Sequence, residues 1–211
     1  MMETQNVIGS LTENQLRQYD EQGYVLIEGL LNYVDRRPAR EAMESKVETI
    51  AADLFANGLI PHKFEDAPFA SRLARLFDDL TDKDFLKWGR DWRDRFPGYF
   101  DLMSNPKILD AVESLIGPEI FANPVYNVRP KVPKVAAGAV PWHQDKSYWP
   151  DANSNPVITV WIPLVDATLE NGCLHLIPGT PKKRAISHSQ ETYSGKGYLA
   201  LDDQYVQRRK Q

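Results

Sequence analysis

Apolar positions recur at helical spacing through the first half of the chain and run in short alternating or continuous stretches through the second, with the change near Gly117. Thr12, with Gln15 three residues later, has the form of a capping box. It predicts a helix whose apolar face carries Leu16 and Tyr19 and which stops at Gly23. Tyr24-Val25-Leu26-Ile27 then reads as a strand, being β-branched and aromatic. Ala42, Val47, Ile50, Ala51 and Leu54 predict a helix over 40–55, and further helices follow over 70–80, 84–95 and 106–116. Gly117-Pro118 closes the last of these, and Ile60-Pro61-His62-Lys63 reads as a loop. Beyond it, 121–128, 140–148, 157–165 and 173–177 read as strands separated by Pro, Gly, Asn and Asp. Helices first and strands second predict an α+β arrangement, with helices packed on a mainly antiparallel sheet or barrel.

Composition narrows this picture without changing it. The 211 residues, 42% hydrophobic and 26% charged, suffice for one core, so a single domain over 1–211 is expected. Within it, 1–117 form a mainly helical layer with one early strand, and 118–211 form a β-rich half. The net charge of −4 argues against a general attraction to nucleic acid or anionic lipid. The basic clusters Lys182-Lys183-Arg184 and Arg208-Arg209-Lys210 are isolated and read as solvated surface. With Cys173 as the single cysteine, no intrachain disulfide can form, which suits a reducing compartment. The first residues lack a basic-then-apolar leader, and no apolar run approaches the roughly 20 residues that span a bilayer. A soluble cytoplasmic protein is expected.

Chemistry concentrates at Pro141-Trp142-His143-Gln144-Asp145. On a strand, residues two apart share a face, so His143 and Asp145 would offer an imidazole nitrogen and a carboxylate oxygen to one point. Those are two of the three ligands in the facial triad of non-haem Fe(II) oxygenases. Taken alone the motif is weak, and a plain polar pair accounts for it better. Its surroundings add more. Tyr148-Trp149-Pro150 follows, then the run from Val157 through Thr159 and Trp161 to Leu164, then Asn171-Gly172-Cys173-Leu174-His175-Leu176-Ile177-Pro178-Gly179-Thr180.

In order and spacing these blocks resemble the centre of the phytanoyl-CoA dioxygenase family of Fe(II)- and 2-oxoglutarate-dependent oxygenases. Leu11-Thr12-Glu13-Asn14-Gln15-Leu16 with Gly23-Tyr24-Val25, and Leu109-Asp110-Ala111-Val112 leading to Leu115-Ile116-Gly117-Pro118, resemble its earlier parts. The resemblance implies a double-stranded β-helix, the jelly-roll or cupin-like barrel, under an N-terminal helical layer. It implies Fe(II) held by His143 and Asp145, with 2-oxoglutarate as cosubstrate, O2, and a small organic molecule as substrate. Asn127 matches a position that reaches the 2-oxoglutarate, and Trp161 an aromatic position beside it; a turn residue and a core tryptophan are the plain readings of the two. Tyr148 and Trp149 are candidates for lining the mouth of the site, or for simple packing. His175 is expected in a core or barrel wall, His188 in a surface loop and His62 outside the barrel, none of them as a ligand. The carboxylate at Asp145 implies hydroxylation rather than halogenation, with desaturation or ring closure as related outcomes.

The sequence departs from the family pattern in one respect. A second iron histidine and an arginine for the far carboxylate of 2-oxoglutarate are expected on late barrel strands. No histidine occurs between Tyr198 and Gln211, and Arg208 and Arg209 come too early to match the arginine segment. The barrel is therefore expected to be incomplete in this chain, which then reads as part of a longer oxygenase. The alternative is a non-catalytic β-barrel binding protein that keeps the fold without the chemistry. On its own, the 211-residue chain is expected to hold Fe(II) weakly and to expose sheet edges.

Overall fold

Thr12 caps the first helix in the computed structural model, which describes residues 9–89, 95–123, 127–135, 139–149, 156–180, 186–193, 196–202, 204 and 206–207 (backbone alone for 191–193 and 196–198). Its hydroxyl accepts from the Gln15 N–H at 3.3 Å, and the Gln15 side chain accepts from the Thr12 N–H at 2.9 Å. Helix α1 then runs Glu13–Gln22 and ends at Gly23, whose φ of 85° lets its N–H donate to the Tyr19 carbonyl at 2.8 Å. The strand expected at 24–27 is absent: the segment is irregular, and Leu26 is 70% exposed.

Helix α2, Tyr33–Ala56, is the spine of the helical layer. It begins seven residues before the expected start, at a capping box between Asn32 and Asp35. Pro38 lies inside it, removing one N–H from the helix ladder near the N-terminal end. Helix α5, Pro97–Met103, crosses α2 at this point: a Cβ on Gly98 would stand 2.4 Å from the Pro38 carbonyl carbon and oxygen. Ala39, Met43, Val47, Ile50, Ala51 and Leu54 form the buried face of α2. They pack with Leu76 of α3 (Phe69–Leu76), Phe77, Phe85 and Tyr99. The helix expected over 84–95 is instead a short α4, Asp82–Asp84, running into a π-helical turn, Phe85–Gly89; 90–94 lie outside the described residues. Gly89 leaves room for the rings of Phe77 and Phe85, which meet edge to face with centroids 5.2 Å apart. Helix α6, Pro106–Ile116, has the expected bounds, with Asn105 accepting from the Lys107 N–H and Gly117 at its end. Ion pairs join the helices, among them Lys107 to Asp35 and Arg72 to Glu48, each at 2.6 Å.

After Gly117 the structure corrects the sequence reading. The stretches 121–128 (with 124–126 outside the described residues), 140–148, 157–165 and 173–177 show no strand pairing among the described residues, and Asp145–Tyr148 is a 3-10 turn. The one ladder described is a hairpin, β1 His188–Tyr193 antiparallel to β2 Lys196–Leu201, with His188 opposite Leu201 and Tyr193 opposite Lys196. It includes His188, Ser189 and Gln190, where a surface loop was expected. The physical reason is that β-branched and aromatic runs favour extended backbone, whereas a strand also needs a hydrogen-bonding partner that local pattern does not specify. The resulting architecture is mixed, helices followed by few strands. Val132 joins the two halves by burying itself in the helical core, with Val128, Val135 and Leu164 packed around it. Lys134 pairs with Asp78 at 2.7 Å, and the Gly179 N–H donates to the Gln22 carbonyl at 2.9 Å.

Candidate metal centre

His143 and Asp145 do converge, although not on a strand. His143 lies in an irregular stretch, and Asp145 opens the 3-10 turn that follows Gln144. Gln144 between them is extended, with φ −101° and ψ 128°, and His143 Nε2 stands 3.1 Å from Asp145 Oδ1. His143 Nδ1 faces the Pro141 carbonyl at 2.8 Å. That oxygen can only accept, so Nδ1 carries a hydrogen, and the lone pair of a neutral ring belongs to Nε2. The lone pair then faces a carboxylate, and two acceptors at this distance need a positive charge between them. A proton supplies one in the metal-free chain. A divalent metal could supply it too: ligands about 2.1 Å from an ion and at right angles stand about 3.0 Å apart. The pair therefore fits two adjacent positions around such an ion.

The electrostatics follow from these contacts. The hydrogen bond to Asp145 raises the His143 imidazole above its ordinary 6.5, burial opposes this, and the Pro141 carbonyl adds to it. The same bond lowers the Asp145 carboxyl below its ordinary 3.8, against burial, and the Thr159 hydroxyl lowers it further. Thr159 Oγ1 donates to Asp145 Oδ2 at 2.6 Å, so each carboxylate oxygen has a partner. The imidazole side chain is 25% exposed and the carboxylate 52%, which leaves the pair open on one side.

Of the other expected site residues, Tyr148 reaches the pair, its ring edge-on to the imidazole with centroids 5.5 Å apart. Its hydroxyl accepts from the Leu199 N–H of β2 at 2.9 Å. Trp149 is half-buried beside it in the chain, with its N–H donating to the Lys146 carbonyl. Asn127 is exposed and Trp161 is 46% exposed; the described hydrogen bonds and ring contacts of the pair include neither. His175 is exposed, not buried in a wall, with its ring edge against Trp142. Among the described residues, no third His, Cys, Asp or Glu joins the pair in a group able to hold a metal. Thr159 was missed in the sequence, although a lone hydroxyl within Val157-Ile158-Thr159-Val160-Trp161 was the available signal.

Comparison with known proteins bears on this geometry. The family model for phytanoyl-CoA dioxygenase (PhyH) matches residues 19–204. The chain is 25% identical over 190 residues to the peroxisomal phytanoyl-CoA dioxygenase of Homo sapiens, covering 88% of this chain and 52% of that protein. It is 27% identical over 198 residues to the phytanoyl-CoA dioxygenase of Arabidopsis thaliana, covering 85% and 68%. It is 29% identical over 177 residues to the 1-deoxypentalenic acid 11-beta-hydroxylase of Streptomyces exfoliatus, covering 82% and 55%. The chain spans about half the length of the first of the curated relatives it matches. No solved structure matches it. Among the described residues, no helix is long and apolar enough to cross a membrane.

Proposed function

Because the chain belongs to the phytanoyl-CoA dioxygenase family, we propose that it carries part of an Fe(II)- and 2-oxoglutarate-dependent dioxygenase that hydroxylates a small organic substrate. The observation that supports this most is the 3.1 Å approach of His143 Nε2 to Asp145 Oδ1 with Nδ1 already committed to Pro141. When bound, Fe(II) and 2-oxoglutarate would activate O2, with the cosubstrate converted to CO2 and succinate. The chain's own contribution is to hold the metal from one side. Pro141 sets the tautomer that leaves Nε2 free, Thr159 holds the carboxylate in place, and Tyr148 packs the imidazole from its edge. Tyr148 and Trp149, on this assignment, line the mouth of the site and shield the substrate from water. In this reading Asn127 and Trp161 approach the cosubstrate, and 1–211 is one oxygenase domain whose second half belongs to a jelly-roll barrel. The third ligand and the 2-oxoglutarate arginine would come from a continuation of the polypeptide. The single cysteine suits a cytoplasmic setting, while several of the relatives carry the word peroxisomal in their names.

Succinate release tests the proposal. The complete polypeptide, supplied with Fe(II), 2-oxoglutarate, O2 and a range of small hydrophobic acids and their thioesters, is expected to release succinate, and His143→Ala or Asp145→Ala to release none. Unchanged release from both variants would overturn the assignment. Sequence read past Gln211 should show a histidine followed by an arginine on a strand pattern; their absence favours the non-catalytic binding protein.

A further inference from the structure

Gln144, the residue between the two candidate ligands, is fixed by contacts from a distant part of the chain. Its N–H donates to His188 Nε2 at 3.0 Å, and its side-chain Oε1 accepts from the Ile186 N–H at 2.9 Å. Its carbonyl accepts from the Ser147 hydroxyl at 2.6 Å and the Ser147 N–H at 3.0 Å. His188 is itself constrained. Its Nδ1 faces the Ile186 carbonyl at 2.7 Å, so the hydrogen sits on Nδ1 and Nε2 is left as an acceptor. The ring is half-buried at the start of β1. Opposite it in the ladder, the Leu201 N–H donates to the Trp142 carbonyl at 2.8 Å. One end of the hairpin thus holds the backbone on both sides of His143, at Trp142 and at Gln144.

We infer that His188 is a positioning residue for the metal pair, acting by holding the Gln144 amide so that the extended backbone there keeps His143 and Asp145 converging. This rests on the metal-centre reading given above. Gln144 is extended, with φ −101° and ψ 128°, so the side chains on either side of it share a face, and the 3-10 turn begins only at Asp145. Without the acceptor at His188, the Gln144 N–H loses its partner and the peptide between the ligands is free to rotate. Outer contacts of this kind typically set metal affinity by about tenfold to a hundredfold. His188 itself is not available as a ligand in this arrangement, since both ring nitrogens are engaged.

The test compares His188→Leu, His188→Asn and His188→Gln in the 211-residue chain, using Co(II) alone as the probe. Glutamine can place an acceptor near the position of Nε2, whereas asparagine is too short and leucine has none. The expected result is that Leu and Asn lose exchange protection at the Gln144 amide in the metal-free chain and bind Co(II) at least about tenfold more weakly. Gln should keep the protection and bind within about threefold of the unaltered chain, a rescue that a merely space-filling ring would not allow. If His188→Leu does not fold, the Asn and Gln variants carry the comparison. Retained protection at Gln144 in the Leu or Asn variant, or Co(II) affinity unchanged when protection is lost, overturns the inference while leaving the metal centre standing. A His143→Ala chain that binds Co(II) as the unaltered chain does overturns the metal-centre reading itself, whatever the His188 variants show.

Discussion

The helices of residues 33–116 supply most of the buried core, although Tyr33, Val34, Phe55 and Phe100 stand exposed on them, whereas the segment 157–176 leaves many of its apolar side chains in solvent. Leu54 and Ala51 are fully buried and Phe77 is 1% exposed; Val160, Leu174 and Leu176 stand at 48–50%. The candidate metal pair sits with the second region, held by hydrogen bonds to Pro141 and Thr159, with Gln144 between its members held by the 186–188 segment. Stability and chemistry therefore have different sources here. Packing in the helical layer stabilises the fold, and polar contacts between distant parts of the chain shape the site. Substitutions should separate the two.

The largest expected effect falls on the helices. Leu54→Ala removes a fully buried side chain from the centre of the α2 face and should cost about 2–5 kcal/mol of stability by chemical denaturation. Metal affinity per folded molecule should stay as it was. Thr159→Val should do the reverse. It removes the hydroxyl that fixes Asp145 Oδ2, weakening Co(II) binding by about tenfold with a change in unfolding free energy within about 1 kcal/mol. Loss of affinity in the first variant, or none in the second, would break the separation. Trp161→Ala, at a half-exposed position, should shift stability by no more than about 0.5 kcal/mol while raising the 2-oxoglutarate requirement of the complete polypeptide.

The smallest effect is a dependence on pH. Asp35 lies below its ordinary 3.8, first because of its hydrogen bond to Lys107, then that to the Asn32 N–H. A carboxyl lowered on folding contributes stability that is present above its unfolded value and lost as pH falls through the folded one. Lys107→Met should therefore lower the melting temperature at neutral pH, and the difference from the unaltered chain should close in acid below pH 3.8. A gap that persists or widens in acid would show that the pair stabilises through packing of the lysine stem instead.

How much the sequence reveals follows the same division. The bounds of α6 were legible because its signals are local: Pro106 at the first helical position and Gly117 after the last. The start of α2 was not, since a proline at 38 ordinarily marks a helix boundary, whereas here the helix begins before it, at Tyr33. Strands were over-read because Val157, Ile158 and Val160 specify extended backbone without naming a partner, and the hairpin at 188–201 was missed because His188-Ser189-Gln190 is polar. At the site, spacing identified His143 and Asp145 as a converging pair, yet on the wrong element. The contacts that hold Gln144 between them come from His188 and Ile186, more than 40 residues away, and no local pattern encodes a contact of that range.

The central claim is that His143 and Asp145 hold a divalent metal. Titrating Mn(II), whose paramagnetism broadens nearby resonances, into the isotopically labelled chain addresses it directly. The account predicts that signals from His143, Asp145 and Thr159 disappear first, while those of the buried α2 face from Ala39 to Leu54 persist, and that His143→Ala removes this order. First broadening at a surface carboxylate such as Glu65 or Asp66, unchanged by His143→Ala, would contradict it.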